Sequence, residues 1–325
     1  MRAIVIKEFG GPEQLVIQEL PDPKPRADHV IIEVKAFGIN RAETYMRKGA
    51  WSEAAKVSGI ECVGLVRSDA SGKFSAGQKV AAIMGGMGRS INGSYAELTQ
   101  VPATNVTPFE SDLPWEDLAA IPESYATAWN CLHDNLALNK GQTLLIRGAT
   151  SPLGQAALNI AANAGVHIIA TTRNTERFAL LKSLGAKQIL LETPALSKYV
   201  RELHPKGVDA VLELVGNSVL LDSLSAVKRG GHLCLAGFVG GLAPFVDFNP
   251  LLQMPSGVHF SFFGSFVFGS PEFPLSDVPL QTIIDRVEDG TYKAKPAKVF
   301  GFHEIQDAHR LMESYQATGK IVVKI

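Results

Sequence analysis

From about Pro122 onward the chain alternates short apolar runs with segments of helical period: TLLIR, PLGQAALNIAANAG, VHIIATT, NTERFALLKSLG, QILL, ALSKYVRELH, VDAVLELVG, NSVLLDSLSAVKRGG and HLCLAGF. Parallel strands need a crossover long enough to hold a helix, and that crossover is right-handed, so this rhythm predicts an α/β fold with a doubly wound parallel sheet of Rossmann type. Residues 1 to about 120 read differently. RAIVIKEF, LVIQEL, HVIIEVKAFGIN, ECVGLVRSDASG, GQKVAAIM and GSYAELTQV are strand-like runs punctuated by Gly, Pro and Asp, with one short helix expected at RAETYMRKG. They predict a barrel-like or sandwich domain. After Pro255 the chain passes through an aromatic-rich stretch and closes with a helix around IQDAHRLMES and a strand, KIVVKI, that rejoins the first domain. The expected division is a β-rich domain at 1–122, completed by 266–325, around a doubly wound domain at 123–265. At roughly 150 residues per domain, 325 residues accommodate both.

Charge removes several function classes. Thirty-one Lys and Arg against 32 Asp and Glu leave a formal net charge of −1. General nucleic-acid binding or adhesion to anionic membranes needs a basic stripe that this balance does not supply. Cys62, Cys131 and Cys234 are odd in number and far apart, which speaks against a disulfide framework and for a reducing, cytoplasmic compartment. Met1 to Ile6 runs directly into strand-like alternation, with no apolar stretch of signal-peptide type. The uncharged stretch between Asp247 and Glu272 is interrupted by Pro250, Pro255 and Pro271, so it reads as a buried interface or a pocket wall rather than a membrane span.

The sharpest local signal is the turn Gly148-Ala149-Thr150-Ser151-Pro152-Leu153-Gly154 between the strand TLLIR and the helix QAALNIAANAG. A glycine-bearing turn of this kind lets backbone amides and a helix N-terminus approach a pyrophosphate. Ser151 occupies a slot where the dinucleotide fingerprint has glycine, and Pro152 removes an amide donor, so a plain tight β–α turn stays open on this segment alone. The second strand adds to it. About 20 residues on, an NAD-preferring fold places an acid on the ribose 2′-hydroxyl. Here stand Thr171, Thr172, Arg173 and Asn174, with Arg177 one turn later. Two guanidiniums suit a 2′-phosphate, each such bond being worth roughly 1.5–3 kcal/mol, or about 10- to 150-fold in affinity. The expectation is NADPH; the alternative is two surface charges at a helix start. Val215 and Gly216 after DAVLEL, and Gly237 and Phe238 after HLCLA, occupy strand carboxyl ends where ligands of such sheets bind, or are plain turn residues.

GINRAETYMRKG (38–49), GIECVG (59–64), GQKVAAI (77–83), GSYAE (93–97), PESYATAW (122–129), the glycine turn, GVDAVLELVG (207–216), KRGGHLCLAG (228–237) and AHRLMESYQATGKIVV (308–323) stand in an order and spacing that resembles the medium-chain dehydrogenase/reductase superfamily, within it the zinc-free, zeta-crystallin-like quinone oxidoreductase branch. The resemblance spans essentially the whole chain. It implies a GroES-like catalytic domain beside the Rossmann domain, active-site clefts between domains, and a homodimer in which the last strand of the cofactor domain, here VHFSFFG, pairs across the axis; SFFGSFVFG (261–269) is then pocket rim or dimer seam, or an ordinary core strand. It places Asn40 and Tyr45 to orient a substrate oxygen, Tyr125 to line the pocket or relay a proton, and Thr127 at the carboxamide edge of the cofactor.

Zinc-containing relatives carry a catalytic Cys after the GI pair and a His before the Glu of GxExxG, where this chain has Asn40 and Ile60. Zinc needs Cys, His or carboxylate ligands, which an amide and an aliphatic chain do not provide, and residues 84–93 lack the cysteines of the structural zinc lobe. Glu61 is retained from that motif, with either a structural role beside Asn40 or a catalytic one. Alcohol oxidation relies on a Lewis acid to stabilise an alkoxide by several kcal/mol. Without one, the expected substrates are quinones or α,β-unsaturated carbonyls, whose own conjugation accepts a hydride and for which hydrogen-bond donors and positioning suffice. A 2-enoyl thioester reductase of the same fold and a non-catalytic NADPH-binding protein are the alternatives, since fold does not fix function.

Overall fold

The structure, a computed structural model, describes residues 1–51 and 53–325. The strands before the glycine turn are β1 (Arg2–Ile6), β2 (Leu15–Glu19), β3 (His29–Ile39), β4 (Glu61–Asp69), β5 (Lys79–Ile83), β6 (Leu98–Pro102) and β7 (Val106–Pro108). Those that follow are β8 (Thr143–Arg147), β9 (His167–Thr172), β10 (Gln188–Leu191), β11 (Val208–Glu213), β12 (Val227–Leu235) and β13 (His259–Phe262), then β14 (Lys298–Gly301) and β15 (Ile321–Lys324). The helices used below are α1 (Arg41–Arg47), α2 (Trp115–Leu118), α3 (Pro122–Asn130), α4 (Pro152–Asn163), α5 (Phe178–Ser183), α6 (Leu196–Leu203) and α7 (Leu220–Ala226). The chain divides into two units: unit 1 is Met1–Ala126 with Ser265–Ile325, and unit 2 is Thr127–Gly264.

In unit 1 a seven-stranded sheet runs β14-β15-β3-β4-β5-β7, with β6 also on β3, and β1 and β2 form a separate antiparallel pair. The aliphatic faces of β3, β4 and β5 close over a core that includes Val30, Ile32, Phe37, Ile39, Val66 and Val80. The terminal strand does return: β15 is antiparallel to β3, with Ile321 opposite Ile39 and Val322 opposite Gly38, and Ile321 and Val323 are buried in the same core. Each such side chain stabilises the fold by roughly 1.5–3 kcal/mol relative to exposure.

Unit 2 is a six-stranded, wholly parallel sheet in the order β10-β9-β8-β11-β12-β13. Counted from β8 as the first strand, this is 3-2-1-4-5-6, so the order in which strands are added reverses between β8 and β11, the place where open α/β sheets hold ligands. Helix α4 packs on β8 and β9, and α7 on β11 and β12. One expectation fails here. The helical reading of NSVLLDSLSAVKRGG stops at Ala226, and KRGG lies inside β12. Val227 is buried and paired with Val208, while Ala210 faces His232, so the residues between form a local irregularity in which Gly230 takes φ +75°. Burial of Val227 outweighs local helix preference. Similarly, GSYAELTQV is strand only from Leu98, although the Ile4 amide still donates to the Tyr95 carbonyl at 2.7 Å. Among the described residues no helix is long and apolar enough to cross a membrane, and no disulfide forms.

Candidate active site

At the head of β8 the backbone turns at Gly148, φ +78°, and α4 begins at Pro152. Ser151 is the helix cap: its hydroxyl accepts from the Gly154 amide at 3.1 Å, and proline at the first helical position gives up only an amide that has no intrahelical partner anyway. Ser151 and Pro152, irregular as a fingerprint, are thus regular as a helix start. Gly154 is fixed by packing: a Cβ there would lie 2.7 Å from Ala149 Cα and 2.7 Å from the Gly148 carbonyl oxygen. Ala149 is buried, whereas Thr150, Ser151, Pro152 and Leu153 are half-buried. Arg177 reaches this turn, with Nη1 3.5 Å from the Thr150 hydroxyl. Arg173 stands exposed just beyond the end of β9, and the Thr172 hydroxyl accepts from the Asn174 amide at 3.2 Å.

A buried ionic cluster lies beneath the turn. Arg147, fully buried, donates to Asp222 at 2.7 Å, to the Ser223 hydroxyl at 2.9 Å and to Glu192, with Glu213 at 3.8 Å. Burial works against its charge, but Glu192, Glu213 and Asp222 together raise the guanidinium's pKa. Burial pushes the Glu213 carboxyl up to about 7, against the opposing pull of Ser223, Arg147 and two backbone amides. The cluster holds backbone. The Gly148 amide donates to Thr171 Oγ1 at 3.2 Å, and that hydroxyl donates to Glu192 at 2.7 Å. Glu213 Oε1 accepts from the Val215 amide at 2.6 Å and the Gly216 amide at 3.1 Å. Those two amides therefore turn inward, toward Glu213. The next turn is laced to them: Val239 and Gly240 amides donate to the Leu214 and Val215 carbonyls, and a Cβ on Gly237 would fall 2.6 Å from the Leu214 oxygen. Phe238 is half-buried and lies 6.2 Å from Phe262, ring to ring. The strand end that reads as acid-free in sequence receives Glu192 from the end of β10, held to Arg147.

In unit 1 three strand ends converge. Asn40 follows β3, Glu61 opens β4 and Lys320 precedes β15. Lys320 Nζ donates to Asn40 Oδ1 at 2.6 Å and to Glu61 Oε1, and lies 3.4 Å from the Ser124 hydroxyl. Asn40 Nδ2 donates to the same Glu61 oxygen at 2.8 Å. The other oxygen of Glu61 accepts from the Glu123 amide at 2.8 Å, so this carboxylate also fixes the first turn of α3. Tyr45, on α1, is half-buried with its ring 6.5 Å from Trp51, and burial raises its pKa. Tyr125 is 2% exposed and stacks on Tyr292 at 5.7 Å. The geometry thus brings Asn40 together with Glu61, Lys320 and Ser124, and sets Trp51 beside Tyr45 and Tyr292 beside Tyr125. Thr127, at the start of unit 2, is buried in α3.

Behind Asn40 lies a second buried set. Glu43 accepts from the Asn40 amide at 2.5 Å, the Ile60 amide at 3.1 Å and the Tyr95 hydroxyl at 3.0 Å, and Tyr95 meets His309 Nε2 at 3.0 Å. Burial pushes Glu43 up to about 7; burial, then the charge of Arg47, pushes His309 down to about 3.

Two family models match the chain: the zinc-binding dehydrogenase model over residues 152–280 and the alcohol dehydrogenase GroES-like domain over residues 26–111. The sequence is 28% identical to the quinone oxidoreductase of Homo sapiens, over 99% of this chain and 97% of that protein. A mycobacterial structure complexed with NADPH superposes with a TM-score of 0.88 at 26% identity, over 100% of both chains. The chain belongs to the medium-chain dehydrogenase/reductase superfamily, in its quinone oxidoreductase branch. It is also 29% identical, over 98% of its length, to a segment making up 14% of a phenolphthiocerol/phthiocerol polyketide synthase of Mycobacterium tuberculosis.

Although one matching family model carries zinc in its description, the donors of this superfamily member do not fit that ion. The amide oxygen of Asn40 is engaged by an ammonium, Ile60 is aliphatic, and among the described residues no three His, Cys, Asp or Glu side chains gather as a metal site would. The residues of the glycine turn fit a dinucleotide better, through the left-handed Gly148, the tightly packed Gly154 and the capped start of α4. Sequence reading passed over Arg147, Glu192, Glu213, Asp222 and Lys320. The available signal was a charged residue at the border of an apolar strand run: TLLIR, DAVLEL, KIVV. The aromatic stretch 261–269 is mixed: Phe263 and Phe268 are buried, Phe262 and Phe266 exposed, as is Phe260 just before it. Phe266 and Phe268, with Phe273, Gly85, Gly86 and Asn105, line a unit 1 cavity of about 550 Å³ that does not include Asn40, Tyr45 or Tyr125.

Proposed function

We propose that this chain is an NADPH-dependent, metal-independent reductase of quinones or of α,β-unsaturated carbonyl compounds. The reduced nicotinamide supplies a hydride. The residues of the chain bind, orient and charge-match around it. The glycine turn and the start of α4 receive the pyrophosphate; Arg177, beside Thr150, and Arg173 pair with the 2′-phosphate. Thr127 serves the carboxamide edge and Tyr125 the pocket wall. Asn40 and Tyr45 donate to the acceptor's oxygen, where the electron pair collects as the conjugated system takes up the hydride. The observation that carries the reading is the Asn40–Glu61–Lys320 set: an amide held by an ammonium and a carboxylate offers a hydrogen-bond donor and no metal ligand set, which suits acceptors that delocalise the charge themselves.

The test is NADPH oxidation against a panel of quinones, enones and enoyl thioesters, before and after exhaustive chelation. Turnover with quinones or enones that survives chelation is expected; no turnover with any acceptor, or activity lost with bound zinc, overturns the reading. The similarity to a polyketide synthase segment favours a second reading, an enoyl thioester reductase, which selective thioester turnover would establish. We further propose a cytoplasmic homodimer. Strand β13 is the last strand of its sheet, and Phe260, Phe262, Leu251 and Leu252 are exposed on and beside it, which suits pairing with the same edge of a second copy. All three cysteines are buried and none is cross-linked, as suits a reducing compartment.

A further inference from the structure

We propose that Lys320 and Glu61 are positioning residues that set the Asn40 side-chain amide in one orientation and reserve one of its N–H bonds for the acceptor's oxygen; the inference rests on the reductase reading above. An amide side chain can be turned over, exchanging its oxygen for its NH₂ with little change of shape, and only its partners decide between the two. Here they decide fully. An ammonium only donates, so the atom 2.6 Å from Lys320 Nζ must be the amide oxygen. A carboxylate oxygen already paired with that ammonium accepts, so the atom 2.8 Å from Glu61 must be the NH₂. Turned over, the amide would set NH₂ against NH₃⁺ and oxygen against carboxylate. The NH₂ has two hydrogens and Glu61 takes one; among the described residues no acceptor takes the other, and Asn40 is only half-buried.

The set is rigid because each member is held from outside. Glu61 is fully buried and Lys320 is 4% exposed. The second Glu61 oxygen is held by the Glu123 amide, and the Asn40 backbone by Glu43 at 2.5 Å. Register brings the cation: Ile321 opposite Ile39 extends the ladder so that Lys320 comes alongside Asn40. Room for it comes from Gly38, where a Cβ would collide with Lys320 Cε and lie 2.5 Å from Glu61 Oε1. Gly38 does not have a left-handed backbone, so the glycine is needed for space and not for conformation.

The experiment compares wild type, Lys320→Met, Asn40→Ala and the double variant by steady-state kinetics with the best acceptor of the panel, alongside NADPH affinity from cofactor fluorescence. Lys320→Met is expected to lower kcat tenfold or more while NADPH affinity stays within twofold, and the double variant to be no slower than Asn40→Ala, because the lysine acts through the amide. Losses that multiply, an unchanged kcat in Lys320→Met, or parallel loss of NADPH binding would overturn the proposal. Should Lys320→Met not fold, Lys320→Met with Glu61→Gln removes both charges together and is expected to give the same kcat loss; Gly38→Ala is expected to give a smaller loss in the same parameter. Wild type without turnover on any acceptor overturns the reductase reading and this inference with it, whereas an active wild type with additive variants overturns the inference alone.

Discussion

Arg147 in unit 2 and Lys320 in unit 1 are both buried cations paired with carboxylate, and they hold different kinds of partner. In unit 2 the planar guanidinium of Arg147 bridges Glu192, Glu213 and Asp222, and these carboxylates pass the order on to backbone amides at Val215 and Gly216 and, through Thr171, at Gly148. In unit 1 the compact ammonium of Lys320 meets one carboxylate and one amide, and the order passes to a side chain, Asn40. The fork spans several partners in a plane, while the point charge converges on one spot. The cofactor cradle proposed above is made of main chain and suits the first kind; the proposed hydrogen-bond donor to a reacting oxygen is a side chain and suits the second.

Breaking the fork is the severest test of this contrast. Arg147→Met leaves three carboxylates without their cation in the interior of unit 2, and a loss of about 3–5 kcal/mol in urea unfolding is expected, together with loss of NADPH binding. A cost below about 1 kcal/mol would mean that the cluster is not what holds these loops. Protonation sharpens the comparison next. Glu43 in unit 1 and Glu213 in unit 2 are both raised from 4.5 to about 7 by burial, so each is protonated in the fold where the unfolded chain is ionised. The unfolded state then binds fewer protons, and stability falls as pH rises from about 4.5 to about 7, by about 3 kcal/mol per group. His309, lowered to about 3, acts in the opposite direction: its contribution is lost as pH falls below its ordinary 6.5. Unfolding titrations at pH 5 and pH 7.5 are expected to show a smaller pH difference in Glu43→Gln and in Glu213→Gln than in wild type; an unchanged slope would mean that those carboxyls ionise in the fold. The smallest effect belongs to the rim of the cradle. Arg177→Ala is expected to lower the preference for NADPH over NADH by about 10- to 150-fold, read from the two Michaelis constants, with Arg173→Ala, more exposed, costing less.

The parallel sheet was legible because its signals are local: apolar runs of strand length, helical periods between them, a glycine where the backbone must turn left-handed. That alternation and the handedness of crossovers predict a doubly wound parallel sheet, while the particular order β10-β9-β8-β11-β12-β13 is one of several such sheets and is seen only in the fold. The same locality misled at KRGG, where the preceding helix reads on by pattern but Val227 is drawn into the sheet. The ionic clusters were illegible for the converse reason. Arg147 meets Glu192 and Asp222 across 45 and 75 positions, and Lys320 meets Glu61 across 259. No period or spacing links such residues; only the fold brings them together. Asn40 and Glu61 were named from the motifs around them, whereas Lys320, which meets both, was not.

Strand β15, which brings Lys320 to the amide, has a consequence for biosynthesis. Asn40 and Lys320 are separated by 280 positions, which at about 5–20 residues per second amounts to roughly 14 to 56 s of elongation. Unit 2 is contiguous in the chain and leaves the ribosome whole within that interval. Unit 2 is therefore complete while the Asn40 amide still lacks its ammonium partner, which comes only when β15 is laid between β14 and β3.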